Sequence, residues 1–280
     1  MSAVEPLVEV ERLSRHYRLG RQHVHRAVDD VSLTIARGET FGLVGESGSG
    51  KSTLSRLVLG LDTPTSGRIR VAGRDLAGLR GRELRRQRRR MQIVLQDPVA
   101  ALNRRKAIEQ IVGLPLAVHE RMPRAARAER VRELLSLVGL PAAFAQRYPH
   151  ELSGGQCQRV GIARAIALEP ELIVLDEAVS AVDVSIQAQI LNLLRDLQDR
   201  LQLTYLFVSH NLAVVRYMSD TVAVMQQGKI VETGFRERLF SRPEHPYTRE
   251  LLAAVPEPVP PASETDDAAP MPAASEGARE

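Results

Sequence analysis

One short segment constrains the fold of this chain more than any other feature. The segment GESGSGKST (residues 45–53) has the spacing G-x-x-x-x-G-K-[ST], follows the apolar run TFGLV and precedes the helical pattern KSTLSRLVL. Gly45, Gly48 and Gly50 allow the backbone to turn tightly, so that its N–H groups point inward at an anion. The positive end of the following helix adds to this attraction. The segment therefore predicts a strand, a phosphate-binding loop and a helix.

The side chains of this segment suit a nucleotide and its metal ion. Lys51 is placed to reach the β- and γ-phosphates, and the Ser52 hydroxyl is placed to ligate Mg²⁺. A chance match in a flexible loop is the alternative, but the strand before the segment and the helix after it argue against chance. We therefore predict ATP and Mg²⁺ as the cofactors. The predicted nucleotide-binding residues here are Gly45, Glu46, Ser47, Gly48, Ser49, Gly50, Lys51, Ser52 and Thr53.

A pair of acidic residues ends a second apolar run, ELIVLDE (residues 171–177). Open α/β sheets bind their ligands at the carboxyl ends of the strands. Asp176 suits the Mg²⁺ coordination shell, usually through water, and Glu177 is placed to orient and deprotonate a water that attacks the γ-phosphate. The alternative is a helix cap by Asp176 beside a solvated Glu177. The phosphate-binding loop in the same chain favours the catalytic interpretation.

Two further apolar runs also end in a polar side chain. Gln96 follows MQIVL, and His210 follows TYLFVS. Because neighbouring parallel strands end at one edge of a sheet, we expect Gln96, Asp176, Glu177 and His210 to gather around the phosphates. A histidine that only caps the next helix is the alternative for His210.

The order of patterns along the chain predicts an α/β fold of the P-loop NTPase type. Apolar runs without polar alternation indicate a mostly parallel core sheet that is buried on both faces. Stricter alternation near the N-terminus predicts an antiparallel β-subdomain, and helical periodicity predicts a helical subdomain inserted at about residues 98–152. We expect one ATPase domain over residues 1–257. Residues 258–280, rich in Pro, Ala and acidic residues, are expected to form a disordered tail.

Composition excludes several other classes of protein. The single cysteine, Cys157, excludes a disulfide framework and argues against a cysteine-bound metal or iron–sulfur site. No apolar run approaches the length that spans a bilayer, so a partner would have to supply any membrane span. The formal charge of +4 owes much to the run ELRRQRRR (residues 83–90). We interpret this run as a solvated helix face; binding to nucleic acid or to an anionic membrane surface remains the alternative.

A further motif, ELSGGQCQRVGIARAIALEP (residues 151–170), offers a second anion site. The Ser153 hydroxyl and the amides of Gly154 and Gly155 provide donors at a helix N-terminus. With LSGGQ (residues 152–156) between the phosphate loop and the acidic pair, the chain closely resembles the ATP-binding-cassette (ABC) ATPase family. The resemblance runs from roughly residue 8 to residue 255 and rests on motifs in the family's order.

The resemblance implies a site shared between two cassettes. They would pair head to tail, so that each LSGGQ closes over the ATP on its partner's phosphate loop; this adds Ser153, Gly154, Gly155 and Gln156 to the nucleotide-binding residues. The catalytic residues would be Glu177, His210, which contacts the γ-phosphate, and Gln96, which couples the metal and the nucleophile to a membrane partner. The metal-binding residues would be Ser52, Gln96 and Asp176.

Two more binding residues follow from the same resemblance. Asp183 lies in SAVD (residues 180–183), which resembles the loop through which paired cassettes communicate; Val182 stands where Leu is usual, and Ala178 stands where Pro is commoner. The adenine would stack on an aromatic residue before the phosphate loop. Tyr17 is our choice, with His16 in reserve.

Two segments narrow the subfamily. LQDPVAALNRR (residues 95–105) and HPYTRELLAAVP (residues 245–256) resemble cassettes of the oligopeptide, dipeptide and nickel importer group. This resemblance implies a second ABC ATPase subunit, expected to be a different chain, two transmembrane permease subunits and an extracytoplasmic solute-binding protein. It also implies a peripheral location on the cytoplasmic face of the bacterial inner membrane.

The cargo and the class of partner have alternatives. Di- or oligopeptides are the first expectation for the cargo, and nickel or a metal chelate is the alternative. A remote alternative is a nucleic-acid-associated ABC ATPase, but such chains usually carry a coiled coil, a zinc-binding insert or a second cassette. The sequence has none of these, and no nucleic acid is expected as a partner.

Overall fold

The computed structural model describes residues 6–20, 23–180 and 182–254. The strands are β1 (Pro6–Leu19), β2 (His23–Ala36), β3 (Thr40–Val44), β4 (Ser66–Val71), β5 (Arg74–Asp75), β6 (Met91–Val94), β7 (Leu172–Asp176), β8 (Thr204–Val208), β9 (Thr221–Gln226) and β10 (Lys229–Phe235). The α-helices are α1 (Lys51–Val58), α2 (Gly81–Arg89), α3 (Ile108–Val112), α4 (Arg124–Leu137), α5 (Gly154–Ile166), α6 (Val184–Leu201), α7 (Leu212–Met218), α8 (Arg236–Ser241) and α9 (Pro246–Ala253).

The strands form two sheets of different kinds. The larger sheet has six strands in the order β10-β9-β3-β8-β7-β6, and all its pairings are parallel except that of β10 with β9. The smaller sheet has the order β2-β1-β4-β5 and is antiparallel throughout. The fold class predicted from the sequence, a mostly parallel core with an N-terminal antiparallel part, is therefore confirmed.

The central strands lack polar alternation because both faces of the larger sheet are covered. On β7, Leu172 and Val174 join a core that contains α1 and the antiparallel sheet. Ile173 and Leu175, which point to the opposite face, join a second core that contains α5, α6 and α7. Side chains alternate between the faces of a strand, so a strand between two apolar layers reads as a continuous apolar run.

The strand β6 departs from the prediction of burial on both faces. It lies at the edge of the sheet and pairs only with β7 among the described strands, and its Gln92 and Ile93 are half-buried. An edge strand has a neighbouring strand on one side only, whereas a central strand has one on each side, which explains this exposure. The polar residues that follow β6 are therefore closer to solvent than those that follow β7.

The sequence reasoning missed the hairpin of β9 and β10 at the other edge. The two strands are joined by Gln227 and Gly228, both with positive φ (47° and 83°). Two such residues make the tight turn that matches the twist of a hairpin, and a glycine at the second position favours it. The signal was therefore present in TVAVMQQGKIVETG.

Helices fill the chain between β6 and β7, where the sequence predicts the inserted helical subdomain. They are α3, α4, a π-helical turn at Leu116–Glu120 between these two, and 3₁₀ helices at Ala142–Gln146 and Pro149–Glu151. The helix α5 follows beyond the predicted bounds of this subdomain. The predicted apolar stripe of α4 (Val131, Leu134, Leu135) is buried, as is Val138 just after it. The exact bounds 98–152 and 1–257 stay predictions.

Two further sequence expectations concern membranes and the tail. Within the described ranges, no helix combines the length and the apolarity needed to cross a bilayer. The predicted tail, residues 258–280, lies outside the described residues.

Candidate nucleotide-binding and hydrolysis site

The phosphate loop (residues 45–53) joins the end of β3 to the start of α1, as the motif predicts. Gly45 and Gly50 have φ angles of 151° and 108°, which side chains rarely allow. A Cβ atom on Gly45 would lie 2.1 Å from the Met225 carbonyl oxygen, and one on Gly50 would lie 2.0 Å from that of Ala27. Neighbouring backbone packs directly against these two positions, so only glycine fits there.

Lys51 is held inside this loop. Its side chain is buried (5% exposed), and Nζ donates to the carbonyl oxygens of Gly45 and Glu46 at 2.7 Å each. Burial lowers the pKa of Lys51, while the charges of Glu177, Asp176 and Glu46 act in the opposite direction. If an anion took the place of these two carbonyl oxygens, it would pair with an ammonium group that is already desolvated by burial.

A cleft of about 200 Å³ opens beside the loop. It is lined by His25, Ala27, Ser47, Gly48, Gly50, Lys51, Ser52, Thr53 and Glu177. The loop amides at the start of α1 and the Glu177 carboxylate therefore face the same space. This arrangement can hold a phosphate chain at the helix N-terminus with a carboxylate beside it.

Two polar contacts connect the ends of β7 and β8 to this cleft. The Ser52 hydroxyl donates to Asp176 Oδ1 at 3.3 Å, and His210 Nδ1 lies 3.3 Å from Glu177 Oε1. Glu177 has a left-handed backbone (φ 49°), and its N–H donates to the Val208 carbonyl at 2.9 Å. A left-handed conformation at a residue with a side chain is strained and marks many functional sites.

The oxygens of Ser52 and Asp176 suit Mg²⁺. Hydroxyl and carboxylate oxygens are its preferred protein ligands, with phosphate and water completing the shell. Burial raises the pKa of Asp176, although the Ser52 hydrogen bond and the charge of Lys51 oppose that rise. A carboxylate whose charge is disfavoured by burial is one that a bound cation would stabilise.

Not every predicted residue joins this group. Gln96 follows the edge strand β6, is exposed and does not line the cleft. The Tyr17 hydroxyl donates to Asp62 Oδ2 at 2.6 Å, and the Arg15 guanidinium lies 4.6 Å from the Tyr17 ring centroid. Arg15 therefore covers one face of the Tyr17 ring. The adenine-stacking role of Tyr17 stays a prediction, as does the reserve role of His16, whose Nε2 is 3.5 Å from Asp29 Oδ1.

Sequence reasoning missed two residues at the site. His25 lines the cleft and pairs with Tyr17 across β1 and β2. Tyr247, from the HPYT segment, is buried, and its hydroxyl accepts a hydrogen bond from the Glu46 N–H at 3.2 Å. The His25 pairing follows from strand register, whereas no local pattern brings residue 247 to the phosphate loop.

The LSGGQ motif lies at the N-terminus of α5, as predicted, but its polar groups bond to one another. The Ser153 hydroxyl accepts from the Gln156 N–H at 3.3 Å, and the Ser153 N–H donates to Gln156 Oε1 at 3.0 Å. This is a capping box. Ser153 and Gly154 are exposed, and a Cβ atom on Gly154 would meet no heavy atom within 4 Å. The motif therefore lies at the surface with open space above Gly154.

The adjoining SAVD segment leads into α6. Asp183 precedes the helix, is exposed and makes no capping hydrogen bond through its side chain. A Cβ atom on Gly155 would lie 2.5 Å from Ile186 Cγ2. The N-termini of α5 and α6 therefore pack closely, which places the Asp183 segment beside LSGGQ.

Comparison with known protein families gives two matches. The family described as "ABC transporter" matches residues 28–180, and the family described as "Oligopeptide/dipeptide transporter, C-terminal region" matches residues 231–278. A relative from Brucella ovis, whose name describes a peptide import ATP-binding protein, is 54% identical over 91% of this chain and 80% of its own length. A peptide ABC transporter ATP-binding protein from Sinorhizobium fredii is 53% identical over 91% of this chain and 74% of its own length.

Solved structures give the same result. A dimeric post-hydrolysis state of the ATP-binding cassette MJ0796, bound to ADP and Pi, is 31% identical with a TM-score of 0.75; the match covers 82% of this chain and 98% of that one. The structure of cbiO1 from Clostridium perfringens, part of the ABC transporter complex cbiONQ, is 30% identical with a TM-score of 0.76; the match covers 85% and 91% of the two chains. The chain therefore belongs to the ABC transporter family, as an ATP-binding subunit.

Proposed function

We propose that this chain hydrolyses ATP to drive the uptake of di- or oligopeptides through partner membrane permeases. The observation that carries the hydrolytic part is that Lys51, Ser52 and Glu177 line one cleft. Asp176 and His210 lie behind them, in contact with Ser52 and Glu177 respectively. These groups supply a cation for phosphates, two oxygens for Mg²⁺ and a carboxylate for the attacking water. Few other reactions require all of them together.

The chemical roles follow from these positions. Glu177, exposed by 21%, orients a water toward the γ-phosphate and accepts its proton. His210, 3.3 Å from Glu177, holds this carboxylate and is exposed enough (58%) to contact the γ-phosphate as well. Lys51 and the loop amides stabilise the charge that develops on the phosphate oxygens. When bound at Ser52 and Asp176, Mg²⁺ would neutralise phosphate charge; Gln96 would complete its shell as the cassette closes.

A second cassette would complete the site. The exposure of Ser153 and Gly154 supports this, because donors at a helix N-terminus would be available to the ATP of a partner. Gly155 and Gln156 continue that surface, and Asp183 would meet the partner beside it. The partner is proposed to be a second ABC ATPase subunit that is a different chain.

The setting of the transporter is also proposed. Two transmembrane permeases and an extracytoplasmic solute-binding protein would complete the assembly. The chain would then lie on the cytoplasmic face of the bacterial inner membrane. A permease that contacts the helices between β6 and β7 would sense the nucleotide through Gln96, which joins those helices to the sheet.

Peptide is favoured over nickel as the cargo by two findings. Residues 231–278 match the oligopeptide/dipeptide transporter family, and the two relatives reported above carry names that specify peptide, with import named in one of them. No comparable finding favours nickel or a metal chelate, and none favours nucleic acid as a partner.

Uptake by cells tests the proposal. Cells that express the transporter with this chain should accumulate labelled dipeptides and tripeptides, and Glu177→Gln should abolish the accumulation while the chain remains present. Exposed Glu133, changed to Gln, serves as the matched control and should leave uptake intact. Uptake of nickel but not of peptide, with the same dependence on Glu177, would contradict the proposed cargo.

A further inference from the structure

A basic groove lies between α2 and the π-helical turn at Leu116–Glu120. We call it the arginine groove; it has a volume of about 460 Å³, and its lining includes Arg82, Arg85, Arg86, Arg89 and Arg121. The first four residues have the spacing i, i+3, i+4 and i+7, so they share one face of α2. Three arginines of the run at residues 83–90 therefore share one exposed face of α2 with Arg82, whereas Arg88 donates to the Gly60 carbonyl and Arg90 pairs with Glu171.

The charges in the arginine groove are mostly uncompensated. Arg89 pairs with Glu120, whereas within the described part of the chain Arg82, Arg86 and Arg121 take part in no ion pair. His119, which also lines the groove, has a lowered pKa because of its burial and, next, because of the charges of Arg85 and Arg89. An anion that entered the groove would remove this repulsion.

The groove is partly preorganised. Arg85 donates from Nη2 to the Val118 carbonyl at 2.8 Å and so ties α2 to the π-helical turn. Gln87, buried on the opposite side of α2, donates to the Val71 carbonyl at 2.8 Å and fixes the helix on the antiparallel sheet. A guanidinium group held in this way, as that of Arg85 is, suits phosphate oxygens, which accept two parallel N–H groups from one arginine.

Apolar side chains beside the groove indicate what carries the phosphate. Val118 lines the groove and is 43% exposed, and Leu114 precedes the turn at 47% exposed. Basic side chains next to exposed apolar ones are typical of segments that bind at a membrane interface. No Phe, Tyr or Trp side chain, on which a nucleic-acid base would stack, lines the groove.

We propose that the arginine groove binds the phosphate headgroups of anionic lipids and so holds this face of the chain against the bilayer. This inference goes beyond the proposed function, although it uses the same membrane setting. Clusters of Arg attract anionic headgroups, and each residue adds substantially to the affinity. The contact would help to orient the cassette beneath its permeases without taking part in hydrolysis.

Vesicle binding by the full-length chain tests this proposal. The probes are vesicles of equal parts phosphatidylglycerol and phosphatidylcholine, compared with vesicles of phosphatidylcholine alone. We expect binding to the anionic vesicles only, and a loss of roughly 30-fold in affinity with Arg82→Gln/Arg86→Gln. The control Arg195→Gln/Arg200→Gln removes the same charge from exposed positions on α6 and should change the affinity by less than about threefold.

Three results would overturn the proposal. The first is equal binding to both kinds of vesicle, and the second is an equal loss in the groove variant and the α6 control. The third is a groove variant that no longer binds polyglutamate or single-stranded RNA but still binds the anionic vesicles. The groove would then be a binding site for a polypeptide or a nucleic acid. ATP hydrolysis, measured on the same variants, should remain unchanged, so failure of this proposal is separable from failure of the proposed function.

Discussion

The N-termini of α1 and α5 both present glycine-rich segments to solvent, but the two helix ends differ in their capping and in the charged residues beside them. At α1, Gly50 takes the cap position without any side-chain cap, and the buried Lys51 and the carboxylates after β7 gather beside it. At α5, Ser153 and Gln156 cap the helix reciprocally, and these two capping hydrogen bonds involve no charged side chain. The first helix end is built to hold a ligand within this chain, whereas the second is stable without one and open to another molecule.

This difference has a consequence for mutation. Changes near α1 should alter nucleotide binding or chemistry in the chain itself. Changes at the exposed end of α5 should leave the chain's own nucleotide in place and act only in an assembly. Each of the following predictions tests whether the two helix ends have these different roles.

The largest effect should come from Glu177→Gln. Loss of a general base typically lowers a rate by about 10²- to 10⁴-fold, so we expect phosphate release to fall by that factor. The affinity for ATP should persist, because Lys51 and the loop amides are unchanged. Glu133→Gln, at an exposed position, is the control. Near-normal hydrolysis by Glu177→Gln would show that the carboxylate beside the α1 N-terminus is not the general base.

The second effect should come from Gly154→Ala. A Cβ atom there meets no heavy atom within 4 Å in the chain, so folding and ATP binding should be normal. In an assembly it would displace a partner's nucleotide, and a displacement of about 1 Å can cost on the order of 10²-fold in rate. We expect this loss in transporter-coupled hydrolysis. The control is Gly161→Ala on the same helix, where a Cβ atom also meets no heavy atom within 4 Å; equal activity of the two variants would refute the assignment.

A smaller effect is expected from pH. Metal binding requires the Asp176 carboxylate to be ionised, and burial raises its pKa. The affinity for Mg²⁺ in the presence of ATP should therefore decline as the pH falls, beginning at a higher pH than for an ordinary aspartate, by up to about tenfold per unit. Titrations of Mg²⁺ at several pH values measure this, and Asp176→Asn should flatten the dependence. An unchanged pH dependence in Asp176→Asn would show that another group controls it.

The smallest effect should come from Tyr247→Phe. The hydroxyl accepts one hydrogen bond from the Glu46 N–H, and a single neutral hydrogen bond contributes about 0.5–1.5 kcal/mol. We expect the affinity for ATP to fall by roughly 2- to 10-fold. If the thermal stability fell while ATP affinity stayed unchanged, Tyr247 would support the fold but not the phosphate loop.

Local motifs predicted the parts of the site that depend on a short stretch of chain. The phosphate loop, the acidic pair and LSGGQ can each be placed at a strand end or a helix N-terminus from a few residues. The order of the strands then brings Asp176, Glu177 and His210 together. Gln96 is less enclosed than expected because β6 lies at the edge of the sheet. An edge position depends on the order of strands, which no single run of residues specifies.

Contacts between distant segments could not be predicted in this way. Tyr247 reaches Glu46, and Tyr17 is held by Asp62 and Arg15, so the neighbours of both tyrosines depend on the folded chain. The hairpin of β9 and β10 is a different case, because its Gln-Gly turn was visible in the sequence. The arginine run likewise showed its charge but not the π-helical turn that makes it a groove.

The central claim is that LSGGQ of this chain serves a nucleotide held by another cassette. Transporter assembled from a tagged Lys51→Ala chain and its wild-type partner cassette can be labelled with an ATP analogue that is photoreactive at its γ-phosphate. Loss of the charged Lys51 contacts should weaken nucleotide binding in the tagged chain by roughly 10- to 100-fold. Our account predicts that residues 152–156 of the tagged chain are labelled nevertheless; labelling confined to the partner cassette would contradict it.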